Sequence, residues 1–254
     1  MELFDSHAHY NDEKFSVDRE ELIEEIYNSG ITRIVCAGYN VKSSKEAIEL
    51  AEKYDYIYAT VGISPNDLED YSEENIKLIT ELAKKEKVVA IGEIGLDYYW
   101  NKENKSLQQE AFIKQIEIAN SIDKPIVIHT REAVNDTIDI LKNKVNVNKK
   151  GIFHCCPLNP ELIKEGVKLG FYISFSGNVT FKNAKSEKAV NEVPIDKILI
   201  ETDSPYLSPE PMRGKRNDSR NVRFVAEKIS EILEKDIDYI AERTYINANK
   251  IFNI

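Results

Sequence analysis

Leu3-Phe4-Asp5-Ser6-His7-Ala8-His9 sets a short apolar run directly before a His-x-His pair. Residues 2–4 read as the end of a β-strand. Side chains two apart on a strand point to the same side, so His7 and His9 face one point just past it. Two neutral imidazoles converging on one point suit a divalent metal. The chain has four histidines, and the other two repeat the pattern. His129 follows Pro125-Ile126-Val127-Ile128, and His154 follows Gly151-Ile152-Phe153. One histidine in such a place is ordinarily a hydrogen-bonded core residue. Four at the ends of predicted strands point to a shared site.

Working outward, strand-like runs at 33–37, 57–61, 88–91, 171–175 and 198–200 join those before the histidines. Helical segments lie between them. Val17, Leu22, Ile23, Ile26 and Tyr27 recur at helical spacing over 17–28, and Gly30 ends that segment. Further helices are expected at 43–53, from Ser72 (an N-cap followed by Glu73 and Glu74), at 106–121 and at 132–142. Pro160 belongs in the first turn of the next, followed by 184–190, 219–233 and 237–252. Eight strands, each followed by a helical segment, predict an α/β chain folded as a single (β/α)8 TIM-type barrel with an extra C-terminal helix. Nearly continuous apolar strands fit burial on both faces. No linker or repeat interrupts 1–254, so one domain is expected. A doubly wound sheet would need a glycine-rich phosphate loop after an early strand, and none has the right spacing.

Of the 254 residues, 42% are hydrophobic and 31% charged, as in a soluble globular enzyme. No apolar run is long enough to span a bilayer, and Met1–Asp5 lacks the basic and apolar regions of a signal peptide. Three cysteines, Cys36, Cys155 and Cys156, argue against a disulfide framework and predict a cytoplasmic location. A net charge of −10 argues against a general nucleic-acid-coating protein. It leaves room for a phosphate held by a cation and by a local basic cluster such as Arg213-Gly214-Lys215-Arg216. No obligate protein partner is evident.

Catalytic groups in such barrels sit at the C-terminal ends of strands. His7, His9, Glu93, His129, His154 and Asp203 all fall there. Glu93, flanked by Gly92 and Gly95, is poorly explained as a solvated surface charge. Asp203 directly follows an apolar strand, where the alternative is a helix cap. Four imidazoles with two carboxylates form a mixed nitrogen and oxygen set suited to zinc, manganese, iron or magnesium. They suffice for two metals sharing the two oxygens of Glu93. Two ions about 3.5–4 Å apart activate a water and clamp the oxygens of a displacement. Asp203 could bind a metal and take the water's proton. Glu201 reads as a barrel-interior group. Tyr98, Tyr99 and Trp100 could offer a base-stacking surface or simply cap the core.

Taken in order, Phe4-Asp5-Ser6-His7-Ala8-His9, Gly92-Glu93-Ile94-Gly95-Leu96-Asp97-Tyr98, Ile128-His129-Thr130-Arg131, Phe153-His154-Cys155, Glu201-Thr202-Asp203-Ser204-Pro205-Tyr206-Leu207 and Arg213-Gly214-Lys215-Arg216-Asn217 span almost the whole chain. In this order the sequence resembles the TatD family of metal-dependent deoxyribonucleases, in the amidohydrolase-like group of barrels. The resemblance implies that His7, His9, Glu93 and Asp203 hold one divalent cation, and Glu93, His129 and His154 the other. It implies hydrolysis of DNA phosphodiesters stimulated by Mg2+, with Mn2+ or Zn2+ as alternatives, often as a 3′ exonuclease on single strands. Arg131, Arg213, Lys215, Arg216 and Asn217 would then face the phosphate side of a DNA strand end. Two departures stand out. The family's usual Gly-x-His-Pro-His is here Gly62-Ile63-Ser64-Pro65-Asn66, and the Cys-Phe-Ser-Gly that often follows the position of His154 is here Cys155-Cys156-Pro157-Leu158. The alternatives are an amidohydrolase-like enzyme for another phosphoester, amide or lactone, and a metal-binding scaffold without catalysis. The first usually places a lysine where this chain has Glu93.

Overall fold

Each strand pairs in parallel with the next one in the chain, in the order β1 (Leu3–Ala8), β2 (Ile31–Ala37), β3 (Ile57–Val61), β4 (Val88–Asp97), β5 (Ile126–Arg131), β6 (Ile152–Phe153), β7 (Tyr172–Phe175) and β8 (Ile198–Ile200). The computed structural model describes residues 1–254. Helices α1 (Arg19–Asn28), α2 (Val41–Lys53), α3 (Glu73–Leu82), α4 (Lys105–Ser121), α5 (Val134–Asp139), α6 (Pro160–Lys168), α7 (Ser186–Asn191), α8 (Val222–Leu233) and α9 (Ile237–Phe252) form the outer layer. The result is a nearly closed (β/α)8 barrel.

β1 and β8 meet through polar groups at the seam. The Asp203 amide donates to the His7 carbonyl at 2.9 Å, and Ser6 Oγ donates to the Ile200 carbonyl at 3.0 Å. The buried Asp5 carboxylate accepts from the Thr202 amide at 2.9 Å, the Thr202 hydroxyl at 2.5 Å and Ser219 Oγ at 2.6 Å. Asp5 thus ties β1 to the segment after β8 and to the turn before α8. Burial drives its carboxyl up to about 7, against those hydrogen bonds.

At the N-terminal end of the barrel, Phe4, Val35, Val89, Val127, Ile152 and Leu199 form an apolar layer with Ala248 and Phe252 of α9. Phe4 packs edge-on against Tyr245, with ring centroids 5.8 Å apart. α9 therefore closes the bottom, which leaves the opposite mouth for polar residues. No helix is long and apolar enough to cross a membrane. The three cysteines are unpaired.

Local capping explains several helix starts. The Asn40 side chain accepts from the Ser43 amide to open α2, Ser72 caps α3, and Asn159 with Pro160 opens α6. Boundaries differ from expectation mainly at the mouth. β1 runs on to Ala8, β4 to Asp97 and β5 to Arg131. Polar residues near the ends of these strands read as loop by hydropathy. α1 begins at Arg19, and Val17 before it is 95% exposed, outside the packed face.

Candidate metal centre

The mouth gathers side chains from strands far apart in sequence. β1 contributes His7 and, one residue past its end, His9; β4 contributes Glu93; β5 contributes His129. His154 follows β6, and Asp203 follows β8. Glu93 can sit in β4 because its neighbours leave room for β5. Gly95 has φ +140°, and a Cβ there would lie 2.0 Å from the His129 carbonyl oxygen. Only glycine allows that approach. Asp203 has φ +56°, in the left-handed region that aspartate visits more readily than most residues.

The two oxygens of Glu93 face different histidine pairs. Oε2 lies 3.5 Å from His7 Nε2 and 3.7 Å from His9 Nε2. Oε1 lies 3.0 Å from His129 Nδ1 and 3.4 Å from His154 Nε2. Asp203 Oδ1 stands 3.2 Å from His9 Nε2 and 3.7 Å from His7 Nε2. His7 and His9 approach within 3.2 Å through Nε2, and His129 Nδ1 lies 3.3 Å from His154 Nε2. The rings of His7 and His154 stack with centroids 4.0 Å apart. Two groups of potential metal donors are therefore compact, His7-His9-Asp203 and His7-Glu93-His154. The structure thus brings together all six residues singled out in the sequence.

The groups behind these donors orient them. His129 Nε2 lies 2.9 Å from Asp97 Oδ2. His154 Nδ1 lies 3.5 Å from Glu201 Oε1, which also accepts from the Cys155 amide at 2.5 Å. His9 Nδ1 lies 3.1 Å from the Ala37 carbonyl. Glu201 is indeed a buried barrel-interior group. Asp97 was not singled out, although the signal was available. Glu93, Gly95 and Asp97 alternate along β4 and so share a face.

The charge state follows from this packing. Burial would push the Glu93 carboxyl up, but the charge of His154 and hydrogen bonds from His129, His154 and His7 hold it well below the usual range. Burial disfavours charge on His154, yet the Glu93 carboxylate and the Glu201 hydrogen bond drive its pKa well above 6.5. His129 and His9 move the same way under their carboxylate partners, while burial and the charge of His154 lower His7. Asp97 is held at about 2; burial opposes this, but the His129 hydrogen bond outweighs it. Four imidazoles crowded around two ionised carboxylates, with facing ring nitrogens only 3.2 and 3.3 Å apart, fit a divalent-cation site.

The centre lies in a cavity of about 850 Å³. Arg131 is the one lysine or arginine among its 18 lining residues. The other expected phosphate contacts are not among them. Arg216 is paired with Asp18, and Arg213 donates to the Ser208 carbonyl and packs over the Phe181 ring. Lys215 is exposed, and Asn217 is buried with its amide donating to the Thr202 and Tyr206 carbonyls. At the departures from the family pattern, Ser64 Oγ donates to Asp67 Oδ2 at 3.0 Å. Asn66 Nδ2 donates to Asp97 Oδ2 at 3.3 Å.

Known proteins resemble the chain over its whole length. A family model described as TatD related DNase matches residues 4–253. The chain is 46% identical over 253 residues to the uncharacterized metal-dependent hydrolase YabD of Bacillus subtilis (strain 168), covering 99% of each. It is 28% identical over 258 residues to the 3′-5′ ssDNA/RNA exonuclease TatD of Shigella flexneri, again covering 99% of each. Among solved structures, the TatD homologue YjjV of Escherichia coli K12 superposes with a TM-score of 0.94 at 25% identity, covering 99% of this chain and 98% of that one. From fold, donor set and family match together, this chain belongs to the TatD family of metal-dependent hydrolases.

Proposed function

We propose that this chain hydrolyses phosphodiester bonds of DNA, as a 3′-5′ exonuclease on single strands, acting as one domain in a reducing cytoplasm. His7, His9, Glu93 and Asp203 would hold one divalent cation, and Glu93, His129 and His154 a second, with Mg2+ the first choice and Mn2+ or Zn2+ the alternatives. The observation that carries the reading is the split of Glu93, with one oxygen toward His7 and His9 and the other toward His129 and His154. A carboxylate in that position suits a bridge between two ions. Support for DNA comes from the matching family model, described as a DNase, and from the relative named as an exonuclease. The three unpaired cysteines suit a reducing compartment.

Bound there, divalent cations supply Lewis acidity that activates water and neutralises phosphate charge. The chain supplies the rest. Asp203, the more exposed carboxylate of the centre, holds the proton taken from the attacking water at a free oxygen. Asp97 and Glu201 fix the rings of His129 and His154 from behind. The Arg131 guanidinium meets a phosphate in the cavity. A strand end suits the acidic protein better than a long duplex, because one cationic side chain in the cavity limits backbone contacts.

The test is release of label from 3′-labelled single-stranded DNA with Mg2+, for wild type and Glu93→Gln in parallel. Release by wild type alone supports the reading. No release by either protein, with two ions shown to be bound to wild type, overturns it.

A further inference from the structure

We propose that Trp100, with Arg131 beside it, forms a subsite on which the base of a nucleotide stacks next to the metal donors. The ligand class rests on the phosphodiesterase reading above, and the experiment below separates the two.

Trp100 is 66% exposed and Tyr99 44%. Exposure alone means little, since single apolar side chains on a surface are ordinary. Three further observations set Trp100 apart. First, its turn is pinned. The amides of Tyr99 and Trp100 both donate to Asp97 Oδ1, at 2.9 and 3.0 Å, while Asp97 Oδ2 lies 2.9 Å from His129 Nε2. One buried carboxylate therefore holds both a candidate metal donor and the backbone that carries the indole. Second, the guanidinium carbon of Arg131 lies 4.0 Å from the Tyr99 ring centroid and 5.5 Å from that of Trp100. The two aromatic rings meet edge-on at 4.8 Å. Third, Trp100 and Arg131 line the same cavity as Glu93, His129 and Asp203.

Tyr98 behaves differently. It is buried, and its hydroxyl donates to Asp136 Oδ2 at 2.7 Å. It anchors the turn to α5, and of Tyr98, Tyr99 and Trp100 only Trp100 lines the cavity. An indole face and a guanidinium on the wall of a phosphodiester site match a ligand with a flat ring joined through a sugar to a phosphate. Stacking accepts every base, so this subsite would favour nucleotides over other phosphoesters without selecting among sequences.

Trp100 is the chain's single tryptophan, so the native protein's tryptophan emission reports on this wall alone. The experiment titrates the metal-loaded protein with thymidine 5′-monophosphate and, as a base-free control, with deoxyribose 5-phosphate. It also measures single-stranded DNA hydrolysis by Trp100→Ala and Trp100→Phe. The expected results are saturable quenching by the nucleotide only, a KM raised on the order of tenfold in Trp100→Ala with kcat nearly kept, and rescue in Trp100→Phe. DNA hydrolysis with an unchanged KM in Trp100→Ala and no quenching would overturn the subsite and leave the nuclease reading standing. Quenching without any DNA hydrolysis by wild type would keep the subsite and overturn the nuclease reading. Neither quenching nor hydrolysis would overturn both.

Discussion

Asp97 Oδ2 lies 2.9 Å from Nε2 of His129, and the opposite ring nitrogen, Nδ1, faces Glu93 Oε1 at 3.0 Å. A carboxylate behind a ligating histidine fixes the ring's tautomer and orientation and raises its basicity. The same carboxylate accepts from the Asn66 amide at 3.3 Å. Asn66 stands where the family usually carries a histidine, so in this chain a neutral amide helps hold the second carboxylate of β4.

Asp97→Asn keeps the shape and removes the charge. Metal affinity at the His129 side is expected to fall by about 10–100-fold. Calorimetric titration with Mn2+ should show one weakened site and one unchanged. Two unaltered sites would exclude the orienting role.

The pH dependence of the metal-free protein has a defined sign. His154, His129 and His9 have folded pKa values raised above the ordinary 6.5 by their carboxylate partners. Their contribution to stability is fully present below about 6.5 and lost as pH rises through the folded values. His7, lowered by burial, acts only below that range, and Glu93 stays ionised throughout it. The Tm of the EDTA-treated protein should therefore fall as pH is raised from about 6.5 into the alkaline range. Metal binding needs neutral imidazoles, so saturating Mn2+ should raise Tm most at the upper end. Calorimetry across that range reads both effects, and a metal-free Tm that rises with pH would contradict them.

Asn217 ties the Asp203 loop to the start of α8. Its Nδ2 donates to the Thr202 and Tyr206 carbonyls at 3.0 and 2.6 Å, and its Oδ1 accepts from Asn221 Nδ2 at 2.8 Å. Asn217→Ala leaves buried groups unpaired at roughly 1–3 kcal/mol each, a Tm loss of several degrees by thermal denaturation. Lys215→Ala, at an exposed position, should leave Tm unchanged. A stable Asn217→Ala with weakened DNA binding would return this residue to the substrate.

Arg131→Ala removes the cavity's cationic side chain. A charge-assisted hydrogen bond contributes about 1.5–3 kcal/mol, so kcat/KM for a single-stranded oligonucleotide should drop about 10–100-fold while metal content stays the same. A loss of metal in this variant would place Arg131 among the supports of the centre instead.

The order of strands and helices, and the position of every histidine near the C-terminal end of a strand, could be read from the sequence alone. Hydrophobic periodicity is a local property, and a parallel barrel converts strand ends into one mouth whatever the loops do. Glu93 stood out for the same reason, as an acid between glycines in an apolar strand. The tertiary structure decided what lies across the barrel from each of these. The split of the Glu93 oxygens, the Asp5 link to Thr202 and Ser219, and Glu201 behind His154 all join residues from distant parts of the chain. Arg216 turns to Asp18 and Asn217 to backbone carbonyls for the same reason, because partners far apart in sequence leave no periodic trace within either segment. Periodicity along a chain reports which face is buried. Which atom meets which across the barrel is set only when the strands close.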